Sequence, residues 1–276
     1  MNFKTIIYSV DGPLGLITLN RPDKLNAINK QMVGELNTAL DLAESDQQVR
    51  VIILAGAGKA FSAGFDMELE ENAGAGGEHA VREELTRDFN LIMRFMEGPK
   101  PTIASVHGYC LGGAFEIALA CDLTITSGDC RFGEPEVRFG SGIVALLLPW
   151  VCGSKHAREI LLTGSNRVTA RQALQYGLVN SVVASADLTK EAMKLAMEIA
   201  RNDALAVQLT KRAINHGYTI AGLREALLQG LETSIRIETT ETDESRQFNQ
   251  VLKTKGTRAA MQWLENRFDN GQQVKS

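Results

Sequence analysis

Apolar positions in the first two-thirds of the chain switch repeatedly between strand-like and helical spacing, which predicts strands and helices in alternation. Residues 5–10 and 14–20 read as two strands around Asp11-Gly12-Pro13, a hairpin signal. Met32, Leu36, Ala39, Leu40 and Ala43 then recur at helical spacing. Residues 49–54 form an apolar run broken only by Arg50, which suits a buried strand. Residues 70–79 are acidic and glycine-rich and read as a mobile loop. A helix over about 81–96 carries Leu85, Phe89, Ile92, Met93 and Met96 on one side, and Gly98-Pro99 stops it. Strands are expected at 101–106, 122–126 and 178–183, with a shorter one at 130–137 turning at Pro135. Residues 140–150 are apolar and leucine-rich, a buried helix or a loop wall. Ser154 and Thr169 are placed to cap two further helices, and Gly177 ends the second.

From residue 187 onward every periodic signal is helical. Leu188, Ala192, Leu195 and Ile199 mark one helix, Leu205, Leu209 and Ile214 another, and Leu223, Leu227, Leu231 and Ile235 a third. Phe248, Leu252, Met261 and Trp263 belong to shorter helices. The expected class is therefore α/β over 1–186, followed by an all-helical region over 187–276. A faint internal repetition supports a layered core: 49–67 and 101–121 each run strand, glycine-containing loop, new segment.

The second of those units concentrates the chemistry. His107 to Cys121 passes through Gly112-Gly113 into a segment apolar on every side except at Glu116. A helix apolar all round is buried, and a buried carboxylate is costly unless paired or hydrogen-bonded. Gly113 and Glu116 are three apart and share a helix face. That face offers a backbone N–H beside an acid/base. A strand-to-helix turn with a capping or solvated glutamate accounts for the same residues, and the stretch alone does not choose. The earlier loop, 55–67, contains Gly58-Lys59, but Ile53 and Ala60 stand where a phosphate-binding loop needs Gly and Ser or Thr. Two glycine-bearing loops after two strands can nevertheless converge as an oxyanion hole. Glu136 follows the second loop and offers a partner carboxylate for general acid/base work on one water. Glu134 competes for that role, because it would share a strand face with Glu136 in an extended segment.

Bulk properties narrow the partners. With 44% hydrophobic and 22% charged residues and a formal net charge of −4, the chain is an ordinary globular protein with no basic run. No nucleic-acid or membrane partner is expected. The cysteines at 110, 121, 130 and 152 have no metal or redox spacing, so no metal site is expected and buried thiols of a reducing compartment are. No apolar run reaches membrane-spanning length and no signal-peptide pattern opens the sequence, so the cytoplasm is the expected location. The four histidines show no partner pattern and read as structural.

Several motifs in order resemble the crotonase (enoyl-CoA hydratase/isomerase) superfamily. Phe61-Ser62-Ala63-Gly64-Phe65-Asp66-Met67 resembles its first oxyanion loop, and Val106 through Asp122 its second. Phe132-Gly133-Glu134-Pro135-Glu136 resembles the motif that follows, and Asn20-Arg21-Pro22 with Asn26-Ala27 the loop on the CoA side. Leu162-Thr163-Gly164, Ala173 and Gly177-Leu178-Val179 match downstream, so that the likeness covers roughly residues 5–216.

The resemblance implies a spiral of repeated ββα units with a helical C-terminal region that packs subunits as trimers, often paired as hexamers. It implies an acyl-CoA thioester as substrate and no cofactor, coenzyme A being part of the substrate. The N–H groups of Ala63 and Gly113 match the oxyanion donors, and Glu116 and Glu136 the two hydratase glutamates. Lys24, Ala27, Asp66 and Met67 lie where the family contacts CoA. The sequence departs from the family over 137–148 and at Phe115, which predicts a bulkier, more apolar pocket wall. Hydration of a 2,3-enoyl-CoA is the expected reaction. A Δ3,Δ2-enoyl-CoA isomerase or another crotonase reaction is the alternative within catalysis, and a non-catalytic acyl-CoA-binding protein is the alternative outside it.

Overall fold

The structure, a computed structural model, describes residues 2–66 and 77–267. Strands β1 (Ile6–Asp11) and β2 (Leu14–Leu19) form the expected antiparallel hairpin. The rest of the main sheet is parallel, with β3 (Val51–Gly56), β4 (Thr102–Val106), β6 (Leu123–Ser127) and β9 (Ser181–Val183) in the order β1-β2-β3-β4-β6-β9. A smaller sheet, β5-β7-β8, is built from β5 (Tyr109–Leu111), β7 (Arg131–Gly133) and β8 (Val168–Thr169). The repetition expected from sequence is visible in this pairing. β4 is followed by short β5 and then helix α3 (Gly113–Ala120), and β6 by short β7. The bridges Ile28↔Phe65 and Ser62↔Cys110 are the counterparts of those short strands in the units that begin with β2 and β3.

Both faces of the main sheet are covered, which explains the unbroken apolar run of β3. Ile52 and Leu54 join the larger core with α1 (Lys30–Ser45), α2 (Gly77–Glu97) and α3. Val51 and Ile53 point the other way, into a second cluster with Leu14, Ile103, Ile125 and the buried residues of α7 (Leu188–Ala200). Each such side chain, fully buried, contributes about 1.5–3 kcal/mol.

Two local expectations are revised, and one left open is decided. The helix expected from 81 begins at Gly77, inside the stretch read as a loop; residues 70–76 of that stretch lie outside the described residues. Glu78 favours the earlier start, because an acid in a first turn complements the helix dipole and pairs with Arg82 one turn on, at 3.2 Å. Ser154 does not cap its helix, since α5 (Gly153–Thr163) starts one residue earlier with Cys152 at the N-cap. Thr169 does cap α6 (Ala170–Gln175), in a reciprocal box with Gln172. Of the two readings of the leucine-rich stretch, the loop is found over residues 140–147, ending in the single turn α4 (Leu148–Val151).

The remaining helices are α8 (Ala204–Ile220), α9 (Leu223–Thr239), α10 (Asp243–Lys255) and α11 (Thr257–Glu265). Helix α9 buries Leu223, Leu227, Leu231 and Ile235 as its spacing predicts. Helix α8 behaves differently: its buried residue is Lys211, while Leu205, Leu209 and Ile214 are exposed. The Lys211 ammonium donates to Asp122 Oδ2 at 2.7 Å and to the carbonyls of Phe95 and Lys100. That bond fixes α8 to the turn that follows α3.

Candidate active site

Parallel strands deliver their following loops to one edge of the sheet, and here the loops after β2, β3 and β4 meet. Asn26 joins the first two. Wholly buried and in the left-handed region (φ 54), it accepts from Arg21 N–H and donates to the carbonyls of Ala57, Ala60 and Phe61 at 2.8–3.1 Å. Asparagine tolerates that backbone region better than most residues. Arg21 adds a second link, pairing with Asp66 at 2.7 Å.

Two backbone N–H groups on these neighbouring loops have no hydrogen-bond partner among the described residues. Ile28 N–H donates to Gly64 and Asp66 N–H donates to Ile28, so the Phe65 N–H between them points to the opposite side. It makes no hydrogen bond among the described residues. Gly113 is the first residue of α3, and the opening N–H groups of a helix have no partner within it. The loops touch closely. A Cβ on Gly64, whose φ of +97 is a glycine conformation, would come within 2.7 Å of Leu111 O and 3.5 Å of Gly113 N.

The acids lie beside this pair. Glu116 is buried in α3, and its Oε2 accepts the Ala145 N–H at 3.0 Å from the loop opposite. Burial holds its carboxyl well above the usual range and the charge of Glu136 adds to this, against the N–H bonds from Ala145 and Val144. Desolvation and like charge therefore outweigh two hydrogen bonds. Glu136 opens a 3-10 turn after Pro135 (Glu136–Phe139), and its carboxylate rests against the backbone of Gly112. Burial pushes it up to about 7. The segment is not extended beyond Gly133, yet Glu134 is buried in the same cluster and the charge of Glu136 acts on it. Glu134 is 1% exposed and is held well above its ordinary value by burial, then by Glu136 and Glu116.

An enoyl-CoA hydratase/isomerase family model matches residues 11–264. The chain belongs to the enoyl-CoA hydratase/isomerase family. The short-chain-enoyl-CoA hydratase of Clostridium acetobutylicum is 37% identical over 226 residues, 79% of this chain and 83% of that protein. The probable mitochondrial enoyl-CoA hydratase of Dictyostelium discoideum is 37% identical over 213 residues, 76% and 74% of the two chains. A crystal structure of an enoyl-CoA hydratase/isomerase from Xanthobacter autotrophicus Py2 superposes with a TM-score of 0.94 at 45% identity, covering 97% of this chain and 99% of that one. The crotonase-like fold with its helical C-terminal region is thereby shown for this member of the family.

The structure brings Glu116, Glu136 and Gly113 together and displaces one expected residue. The Ala63 N–H donates to Leu25 O at 3.0 Å and faces away from the site. In a regular strand, N–H groups two residues apart share a side; the positive φ of Gly64 breaks that alternation, and the free N–H on this loop belongs to Phe65. Lys24 is exposed and Ala27 half-buried on the first loop. Asp66 lies beside them in its pair with Arg21, and Met67 lies outside the described residues.

One acid escaped the sequence reading although its position was a signal. Asp88 falls on the apolar face of α2, three residues after Leu85 and four before Ile92. It is buried, its Oδ1 has no hydrogen-bond partner, and its charge is felt by Glu116. Burial pushes it from 3.8 up to about 7, against the pull of Arg87, whose Nε lies 3.5 Å away. Because the folded value is raised, the stability it contributes is full below pH 3.8 and is lost as pH rises through about 7. Asp88→Asn is expected to remove up to about 4 kcal/mol of that loss. Thermal melts should show the variant more stable than the parent at pH 8 and matched to it at pH 4; equal melts at pH 8 would contradict the assignment.

Proposed function

We propose that the chain is an enoyl-CoA hydratase that adds water across the 2,3 double bond of an enoyl-CoA thioester. The observation that carries this reading is the meeting of Glu116 and Glu136 beside the unpaired N–H groups of Phe65 and Gly113. The thioester oxygen accepts from both N–H groups, each worth about 3 kcal/mol as negative charge develops on it. With the proton of the pair on Glu136, the like charge that raises Glu116 is removed, and ionised Glu116 takes a proton from the water as its oxygen bonds to C3. Protonated Glu136 delivers its proton to C2, and the enolate collapses to the 3-hydroxyacyl thioester. The net reaction consumes one water and needs no cofactor beyond the CoA of the substrate. A carboxyl held near pH 7 suits this step, since it is both a competent acid and a competent base at neutral pH.

The CoA portion is assigned to the first loop, where the family resemblance implies Lys24, Ala27, Asp66 and Met67 as contacts and the charge of Lys24 suits a phosphate; Met67 lies outside the described residues. Helix α8 supports a trimeric or hexameric assembly. It packs inward through Lys211 and Asn215 and leaves Leu205, Leu209 and Ile220 turned outward. Light scattering is expected to give a mass of three or six chains, and a monomer at micromolar concentration would refute the assembly. The free thiols suit a reducing compartment such as the cytoplasm, and no described helix is long and apolar enough to cross a membrane.

The direct test follows enoyl absorbance after mixing purified protein with a short and a medium 2-enoyl-CoA. Turnover of at least one is expected. Tight CoA binding with both substrates unchanged over hours would mark a non-catalytic binder instead.

A further inference from the structure

Glu116 is held by the loop opposite it, and that loop is held in turn by α9. Residues 140–147 have no helix or strand of their own, so their buried backbone groups need partners from other elements. On one side, Ala145 N–H donates to Glu116 Oε2 at 3.0 Å. On the other, Ser234 Oγ donates to Ile143 O at 2.5 Å, and to Gly230 O of its own helix at 3.1 Å. Glu238 Oε1 accepts from Gly142 N–H at 3.2 Å and from the Ser141 hydroxyl. Positions 230, 234 and 238 are four apart and form one stripe of α9. Small residues on that stripe let the loop approach. A Cβ on Gly142 would lie 2.6 Å from Ser234 Cα, and one on Gly230 would meet Leu146 Cβ at 3.4 Å. Ser234 is 2% exposed, on the face that buries Leu227, Leu231 and Ile235. The bond to Gly230 would satisfy a buried serine by itself, yet the shorter bond goes to the loop.

We propose that Ser234 and Glu238 are positioning residues that fix residues 141–145 against α9 and so keep the Ala145 N–H on Glu116. Both act through the loop: Glu238 holds Gly142, Ser234 holds Ile143, and the bond to Glu116 leaves two residues further on. A carboxylate aligned by its donor presents its other oxygen to the water in one direction. Misplacing a reacting group by about 1 Å can cost about 10²-fold in rate. The inference rests on the hydratase reading for its kinetic test but not for its exchange test.

Amide hydrogen exchange of the full chain reads the clamp without turnover. In Ser234→Ala the amides of 142–145 are expected to exchange about five- to tenfold faster, the weight of one hydrogen bond, with β4 and α3 unchanged. Alanine is a good helix former and keeps the close approach at Gly142, so the fold should survive. Unchanged exchange over 142–145 would overturn the proposal. The kinetic arm follows turnover of an enoyl-CoA. Ser234→Ala is expected to lower kcat by about tenfold while KM stays within about twofold, as for an interaction that matters only in the transition state. In a Glu116→Gln background the same change is expected to cost less than about twofold, because the group it aligns is no longer a base. An equal loss in that background would show general loosening and overturn the proposal, as would a parental kcat in Ser234→Ala. Glu238→Gln keeps an oxygen for Gly142 N–H and Glu238→Ala does not, so the alanine variant is expected to be slower by about tenfold. Both remove the charge that Glu238 directs at Glu136, so the difference reads the hydrogen bonds alone. Equal rates in the two would overturn the assignment of Glu238. A parent that turns over no enoyl-CoA would refute the hydratase reading and leave the exchange result to decide the clamp.

Discussion

Glu116→Gln and Glu136→Gln are each expected to lower turnover of an enoyl-CoA by about 10²–10⁴-fold, the usual weight of one general acid or base. The fold should survive both changes. Glutamine keeps the volume of the side chain, its oxygen can still accept the Ala145 N–H, and a neutral amide removes the like-charge repulsion between the two acids. Circular dichroism should therefore be unchanged while kcat falls. The pair also separates hydration from the alternative within the family. Hydration needs one group for the water and one for C2, so both variants should fail. If Glu116→Gln keeps full activity with a 3-enoyl-CoA while Glu136→Gln loses it, the chain is a one-base isomerase. Little loss in either variant would remove both residues from the chemistry.

Gly112→Ala is expected to lower kcat by about 10²-fold through position alone. Gly112 has φ 53 and ψ −134, a region essentially reserved for glycine, so any side chain adds about 1–3 kcal/mol of strain. The added methyl would also lie 2.0 Å from Glu136 Oε1. Something must move, and the backbone of Gly112 is held by its N–H bond to Gly133 O at 2.9 Å. The carboxylate is therefore displaced from the reacting carbon. Gly113→Ala is the useful contrast. Its methyl meets the Phe65 ring at 2.2 Å, a side chain that can turn away, so a smaller loss is expected there. Equal, near-parental rates for both variants would show that Glu136 is not held against this turn.

Much of this site lies in local features that a chain pattern records. Gly112 and Gly113 before an all-apolar helix, with Glu116 as its lone acid, mark a buried turn and a buried charge without any knowledge of the partner elements. The strand and helix alternation, the hairpin and the helical C-terminal third follow from hydrophobic period in the same way. Burial on one or two faces of an element is a property of that element's own residues, so it repeats along the sequence.

What the sequence by itself determined, then, was the order of elements, the family motifs and the identity of the acids near the turn. Only the tertiary structure decided which N–H groups are free and which carboxyls meet. Ala63 and Phe65 are indistinguishable as candidate donors until Leu25, nearly forty residues earlier, takes one of them across the loops. Asp88 and Glu116 sit on different helices, and Glu134 and Glu136 act on each other's charge although their segment is not extended. Hydrogen bonds and charge interactions act over a few ångströms of space between residues far apart in the chain, and no local period encodes them. The leucines of α8 make the same point in reverse: their spacing predicts a buried face, but Lys211 finds Asp122 on the core and turns them outward.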